Sequence, residues 1–456
     1  MNRLPLHILL ACLAAACGSG THDHETGSDA ATKPNTDSSA STADAADAGQ
    51  KDSGVHASDA GFTEAHHPGL PQLLVQGGAV LTAPLLVTVT FPSDPNATEL
   101  DLFGETATNN PWWNTIRTGF CATPATCVGD GPAGISVQLT SAPASSYADA
   151  SDPTSSSQLR TYLNGLIAGG ALPAPTSQTN YVLHFPSTTT ISLDGSVVCQ
   201  DLAAYHDYGT YGGMNYAYAV APECPGSPIA DTIFWSSHEI VEATTDPFPY
   251  MTSGYWLNLM DPNILPWLNS VGGGEAADLC YDSWQIGQDQ AKENGFTVER
   301  IWNNEAAAAG HNPCVPESTA PYFNAAPDKW LLTADVGSSA SFTATVFSDS
   351  PIEGGWSLSG YDYQASLGTT AYMKVLINGA ASAKVNNGDT VTVSVTLLQD
   401  TSGLTASNQY PAAVGWLISY LGPVSTPTAA HYWPFMITSP ADAASSGLAC
   451  LDPTED

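Results

Sequence analysis

The chain has 456 residues, with 10 Lys and Arg against 44 Asp and Glu and a formal net charge of −34. That length exceeds one ordinary domain and is enough to bury a sizeable core. A surface this negative repels nucleic acid and anionic lipid, so no nucleic-acid partner is expected, and cations and neutral or basic partners are favoured.

The N-terminus reads as a secretion signal. Arg3 precedes an apolar run from Leu4 to Ala16, too short to span a bilayer. Leu13-Ala14-Ala15-Ala16-Cys17 has the pattern of a bacterial lipobox, with Cys12 a weaker site and cleavage without a lipid the alternative. Residues 1–17 are therefore expected to be a lipoprotein signal with Cys17 lipidated. The expected location is the bacterial cell envelope, as an outer-membrane lipoprotein or secreted protein, touching the membrane only through its N-terminal lipid anchor. Residues 18–68 are dominated by Ala, Ser, Thr, Asp and Gly, too few apolar groups to offset ordering entropy, and are expected to form a disordered tether. His22, His24, His56, His66 and His67 lie in it and are read as solvated.

Folded patterning begins near Leu70. Leu81–Phe91, Asn180–Phe185, Thr188–Leu193 and Tyr216–Ala221 have strand character, and Ser156–Ala168 reads as a helix ended by Gly169-Gly170. Pro111-Trp112-Trp113 opens a further helix, its tryptophans read as core or cleft wall rather than a sugar platform. Cys199–Tyr208 is expected as a loop or short helix carrying His206. Of nine Cys, six pair in chain order as 121–127, 199–224 and 280–314, although spacing alone does not fix connectivity. Cys450 is then left over, and no Cys-x-x-Cys occurs, which disfavours a thiolate zinc site or a redox motif.

The chemistry concentrates in Ser236–Pro247. A helix is expected over Thr232–Thr245, with Asp231 as N-cap and Pro247 as its stop. On it His238 and Glu242 are four apart and share a face, and Glu239 is turned about 100° from His238. That layout is a His-Glu-x-x-His zinc helix with its second His replaced by Glu242, a harder and more oxygen-rich ligand set. Downstream, the glycines before Glu275 let backbone approach a site closely. His-Glu-x-x-His enzymes draw a third ligand from downstream of the helix, so Glu275 and Asp278 are the candidates, with a solvated acidic turn as the alternative. His206 is a further ligand or an oxyanion donor, with His184 and His311 weaker choices. From about Trp330, short alternating runs at Ser339–Phe347, Tyr372–Ile377, Thr390–Leu398 and Ala413–Tyr420 predict an all-β sandwich.

Ser237–Pro247, together with Pro111-Trp112-Trp113, Cys199–His206, Tyr218–Cys224, Gly274–Cys280 and Ile301-Trp302-Asn303-Asn304, resembles the EXORDIUM or phosphate-induced family of plant cell walls and its secreted bacterial relatives. The resemblance covers roughly residues 80–317; plant members carry Asn where this chain has Asp246. It implies an extracellular, zincin-like domain and brings no firm activity. The expected fold class is an α+β zincin-like domain over 69–320 followed by an all-β sandwich over 321–456.

The function expected first is a surface-anchored zinc metallopeptidase acting on peptide or protein. His238, Glu242 and Glu275 or Asp278 hold Zn2+, Glu239 is the base, and His206 assists. The other reading is a non-catalytic surface protein that binds glycan or protein and holds a structural metal such as calcium. A third leaves His238 and Glu242 simply hydrogen-bonded in a buried helix.

Overall fold

The computed structural model describes residues 61–448 apart from 124, 250, 258–260, 272, 282–288, 318–319, 367 and 407–409. The signal, Cys17, residues 18–60 of the expected tether and Cys450 lie outside the described residues. The fold is mixed α/β and rich in strands.

The first half is built on a five-stranded sheet. Its strands are β1 (Leu85–Thr90), β2 (Ile135–Gln138), β3 (Thr179–Leu183), β4 (Tyr205–Tyr211) and β5 (Met214–Val220), in the order β4-β5-β3-β1-β2. The β1–β2, β1–β3 and β3–β5 pairs are parallel, and β4 is added antiparallel to β5. β1 and β3 are covered on both faces, so β1 reads as an unbroken apolar and β-branched run rather than an alternating one, while β3 carries a buried Asn180. Gly212 and Gly213, at φ of 59° and 83°, form the two-residue turn between β4 and β5. Two successive positive φ values match the right-handed twist of a hairpin, and glycine adopts them without strain.

This hairpin corrects one expectation. His206 lies on an extended edge strand, not in a loop or helix, because residues 205–211 find a partner in 214–220 that local composition does not announce. Helices α1 (Ala97–Thr106), α2 (Pro111–Ile116), α3 (Gln158–Ala168) and α4 (Ile229–Thr245) pack around the sheet. In α2, Asn110 caps Trp113 N, and Trp112 and Trp113 are both core residues at 1% exposure. The helix α4 starts earlier than expected. Pro228 is its N-cap, and Asp231 falls in the first turn, where a negative charge meets the helix dipole. Strand β6 (Phe296–Glu299) packs against α4 as the sheet strands do, and almost no residue of that helix reaches solvent. The pairs Cys121–Cys127, Cys199–Cys224 and Cys280–Cys314 are disulfide-bonded. Such bonds persist outside a reducing cytoplasm. Among the described residues, no helix is long and apolar enough to cross a membrane.

The second half holds two sheets. Strands β7 (Phe323–Pro327), β8 (Leu331–Thr333), β9 (Ser339–Ser348), β10 (Trp356–Asp362), β11 (Met373–Ile377), β12 (Ser382–Val385), β13 (Thr390–Leu397), β14 (Ala413–Leu421) and β15 (Ala429–Thr438) form them in the orders β7-β9-β13-β11 and β8-β15-β14-β10-β12. In β13, Val391, Val393 and Val395 point inward while the residues between them face out, the period-2 pattern of a half-buried strand. The inner faces of both sheets bury one apolar cluster that includes Phe323, Val393, Leu417 and Phe435.

The two halves are not separate cores. Trp416, Tyr432 and Met436 on the outer face of β14 and β15 belong to the same apolar cluster as Trp112, Ile240 and Trp302. Trp267, on a short helix α5 (Leu265–Val271), meets Trp302 and Tyr432 at ring-centroid distances of 5.4 Å each. That is why β14 is buried on both faces. The described end of the expected tether also departs from a solvated chain. Ala65 N donates to Asn387 Oδ1 at 3.0 Å, Asn387 Nδ2 donates to Thr63 O at 2.8 Å, and the His67 ring stacks on Phe347 at 3.7 Å. An aromatic partner and two backbone hydrogen bonds offset the ordering entropy that composition alone cannot.

Candidate metal centre

The α4 sequence carries an unusual load of polar groups into the interior. Its hydroxyls are satisfied within the helix: Ser236 Oγ donates to Thr232 O, Thr244 Oγ1 to Ile240 O and Thr245 Oγ1 to Val241 O. Such back-bonding costs little and needs no outside partner. His238, Glu239 and Glu242 have no local solution of that kind. They reach instead into a cleft of about 660 Å³ whose lining includes His206, Glu275 and Asp278.

Each approaches from its own element. His206 comes from β4; its Nδ1 stands 3.4 Å from Glu239 Oε2 and 3.6 Å from Glu242 Oε2. Its Nε2 donates to the Asp246 carbonyl at 3.2 Å and lies 3.5 Å from Glu275 Oε1. His238 Nε2 faces Glu242 Oε1 at 3.2 Å, and His238 Nδ1 is bonded to Glu299 Oε2 at 2.7 Å. Glu275 and Asp278 sit where the chain enters a short helix, α6 (Asp278–Tyr281), and Asp278 Oδ2 accepts from Glu275 N at 3.1 Å. A side chain at Gly273 would collide with the Asp278 carboxylate, and a Cβ on Gly274 would stand 2.6 Å from the Trp256 ring. Bare backbone is needed at both positions.

The electrostatics follow from burial and crowding. Burial lowers the proton affinity of His206, but the carboxylates of Glu275, Glu239 and Glu242 outweigh it and push the imidazole well above its usual value. His238 is raised in the same way against burial by Glu242 and Glu299. Glu242 lies between the two rings; burial is overcome by His238 and His206, and its carboxyl falls to about 2. Burial, reinforced by Glu242, lifts Asp278 to about 7 and Glu275 well above the carboxylate range. Burial lifts Glu239 as well. Glu242 Oε1, Glu275 Oε1, Glu299 Oε1 and Asp246 Oδ2 are buried without a hydrogen bond. Buried carboxylate oxygens without donors are costly, and a cation is one way to satisfy several at once.

The donors fall into two sets, His238–Glu239–Glu242 and His206–Glu242–Glu275, each offering one ligand atom per residue within 4.8 Å of the others. The fold thus brings together six residues singled out from sequence: His206, His238, Glu239, Glu242, Glu275 and Asp278. His184 and His311 are not among the cleft residues. His184 Nδ1 meets Ala221 O at 3.0 Å in the core, where burial lowers it to about 4.

Glu299 is the member that sequence reasoning passes over. It is completely buried, its backbone N donates to Ser237 Oγ at 2.8 Å, and burial lifts its carboxyl to about 8 against the pull of His238. The signal was a charged residue inside the apolar run Phe296–Trp302. Asp246, whose role the sequence left open, accepts Gly254 N at 2.9 Å through Oδ1 while its carbonyl holds His206.

No family model matches the chain, and no curated protein matches it. Among solved structures it is similar to domains 4 and 5 of the S-layer protein SbsC, at 12% identity over 26% of this chain and 48% of that one, with a TM-score of 0.17. It is also similar to domain 1 of VCBP3 from Branchiostoma floridae, at 9% identity over 27% of this chain and 98% of that one, with a TM-score of 0.18. The chain spans about half of the SbsC two-domain structure that it matches. Likenesses this partial carry no argument about the site.

Proposed function

We propose that the protein is an extracellular metal-dependent hydrolase of zincin type, acting on peptide bonds and held to the bacterial surface through Cys17. One observation carries this reading: His238, Glu239 and Glu242 on one buried helix converge with His206 of the edge strand in a single cleft. The donors suit a divalent cation. Imidazole nitrogens and carboxylate oxygens are zinc ligands, and the buried Glu242 Oε1 and Glu275 Oε1 lack hydrogen bonds. An imidazole in each set favours zinc over calcium, which takes oxygen ligands.

When bound, such a cation polarises a carbonyl and makes water a stronger acid. Glu239 is placed to take the proton from an attacking water. Its raised proton affinity moves it toward neutral pH, where a general base is most effective. His206, 3.4 Å from Glu239 Oε2, holds that carboxylate in position. Glu299 holds the His238 ring so that Nε2 stays turned toward Glu242. Leu193, Leu202, Trp235, Pro249 and Trp256 give the cleft apolar walls suited to the side chains of a peptide.

The test combines elemental mass spectrometry with cleavage of a quenched-fluorescent peptide library. Wild type should carry zinc and cleave. Glu239→Gln should keep zinc and lose cleavage by about 10²–10⁴-fold. Zinc retained with no cleavage by wild type would sink the hydrolase reading and favour a surface protein with a structural metal.

A further inference from the structure

We infer that the cleft binds two divalent cations, bridged by the carboxylate of Glu242. This rests on the hydrolase reading only for its purpose, not for its geometry. The two oxygens of Glu242 face different imidazoles: Oε1 is 3.2 Å from His238 Nε2, and Oε2 is 3.6 Å from His206 Nδ1. Around them lie two groups of donors, His238–Glu239–Glu242 and His206–Glu242–Glu275, with Glu242 common to both; Glu239 stays the base, and His238 and Glu242 hold the first cation. Two donors on one zinc, at bonds of about 2.0–2.1 Å and tetrahedral angles, are about 3.3 Å apart. The 3.2 Å His238 Nε2–Glu242 Oε1 contact on one side and the 3.6 Å His206 Nδ1–Glu242 Oε2 contact on the other are both near that spacing. A carboxylate using one oxygen per cation suits a pair about 3.5–4 Å apart, the separation found in two-metal hydrolytic sites.

Buried oxygens point the same way. Glu242, 4% exposed, turns Oε1 to His238 Nε2 at 3.2 Å, and Glu275 turns Oε1 to His206 Nε2 at 3.5 Å, neither contact being a hydrogen bond. The acidic excess of the whole chain makes accumulation of two divalent cations easier than in a balanced protein.

The experiment loads the full chain with Mn2+ or Co2+, counts bound metal by elemental mass spectrometry, and records the electron paramagnetic resonance spectrum. Two equivalents with a spin-coupled signal are expected. His206→Ala should lose one equivalent and the coupling while keeping the other; Glu242→Ala should lose the coupling. Histidines near the N-terminus can add uncoupled metal, so the coupled signal and the difference between wild type and His206→Ala are the decisive readings. An uncoupled spectrum in wild type, with no metal lost in His206→Ala, overturns the pair and leaves a single-cation hydrolase standing. No metal in the cleft overturns both. Because the coupling is read on wild type, a variant that fails to fold does not decide the outcome.

Discussion

Two buried carboxylates separate the halves of this molecule. Asp362, at the end of β10, accepts Ala365 N through Oδ1 at 3.3 Å, and Tyr372 N and Met373 N through Oδ2 at 2.6 and 2.8 Å. Both of its oxygens are used, and their donors are backbone amides of the helical turn after β10 and of the start of β11 in the other sheet. Glu275 in the cleft has a buried oxygen that makes no hydrogen bond, with His206 Nε2 3.5 Å away, and its neighbours include Glu242 and Asp278. The first arrangement fixes architecture, because three amides would lose their acceptor without it. The second leaves a polar group waiting for a ligand, and proteins keep such costs where a site needs them.

The comparison breaks most sharply at Asp362. Asp362→Ala strands backbone donors in the interior and should destabilise the protein by about 2–4 kcal/mol, read from chemical denaturation. A change under about 0.5 kcal/mol, the size of an ordinary surface substitution, would mean that water serves those amides equally well.

Glu299 tests the cleft side. Glu299→Gln keeps an acceptor near His238 Nδ1 but removes the charge. It should weaken zinc binding by about 10–100-fold, measured by competition with a chromogenic chelator, with the circular dichroism spectrum unchanged. Unaltered affinity would make Glu299 a packing residue only.

Glu275→Gln should have the smallest effect on the metal-free fold, within about 1 kcal/mol, since burial and the Glu242 carboxylate already hold that carboxyl against ionising and the amide has the same shape. Marked destabilisation would show that His206 already satisfies Glu275 without metal.

Local spacing made much of this legible. His238, Glu239 and Glu242 needed only the 3.6-residue period, and the strands near Ser339 and Thr390 needed only alternation. Strands β7, β10 and β15 escaped, the last because a run buried on both faces has no alternation to read. The two-sided burial of β14 and β15 also hid the core shared across residue 320.

What the sequence determined by itself was the helix with its facing donors and the acidic character of the whole; the order of the Cys offered the three pairs that the structure holds but did not fix them. What only the tertiary structure decided was which residues meet that helix. Glu299 reaches His238 across 61 positions of chain, and His206 reaches the Asp246 carbonyl across 40. Helical periodicity fixes neighbours within about one turn of a residue. Contacts at such separations depend on sheet order, on a hairpin register set by Gly212-Gly213, and on a strand packed against α4.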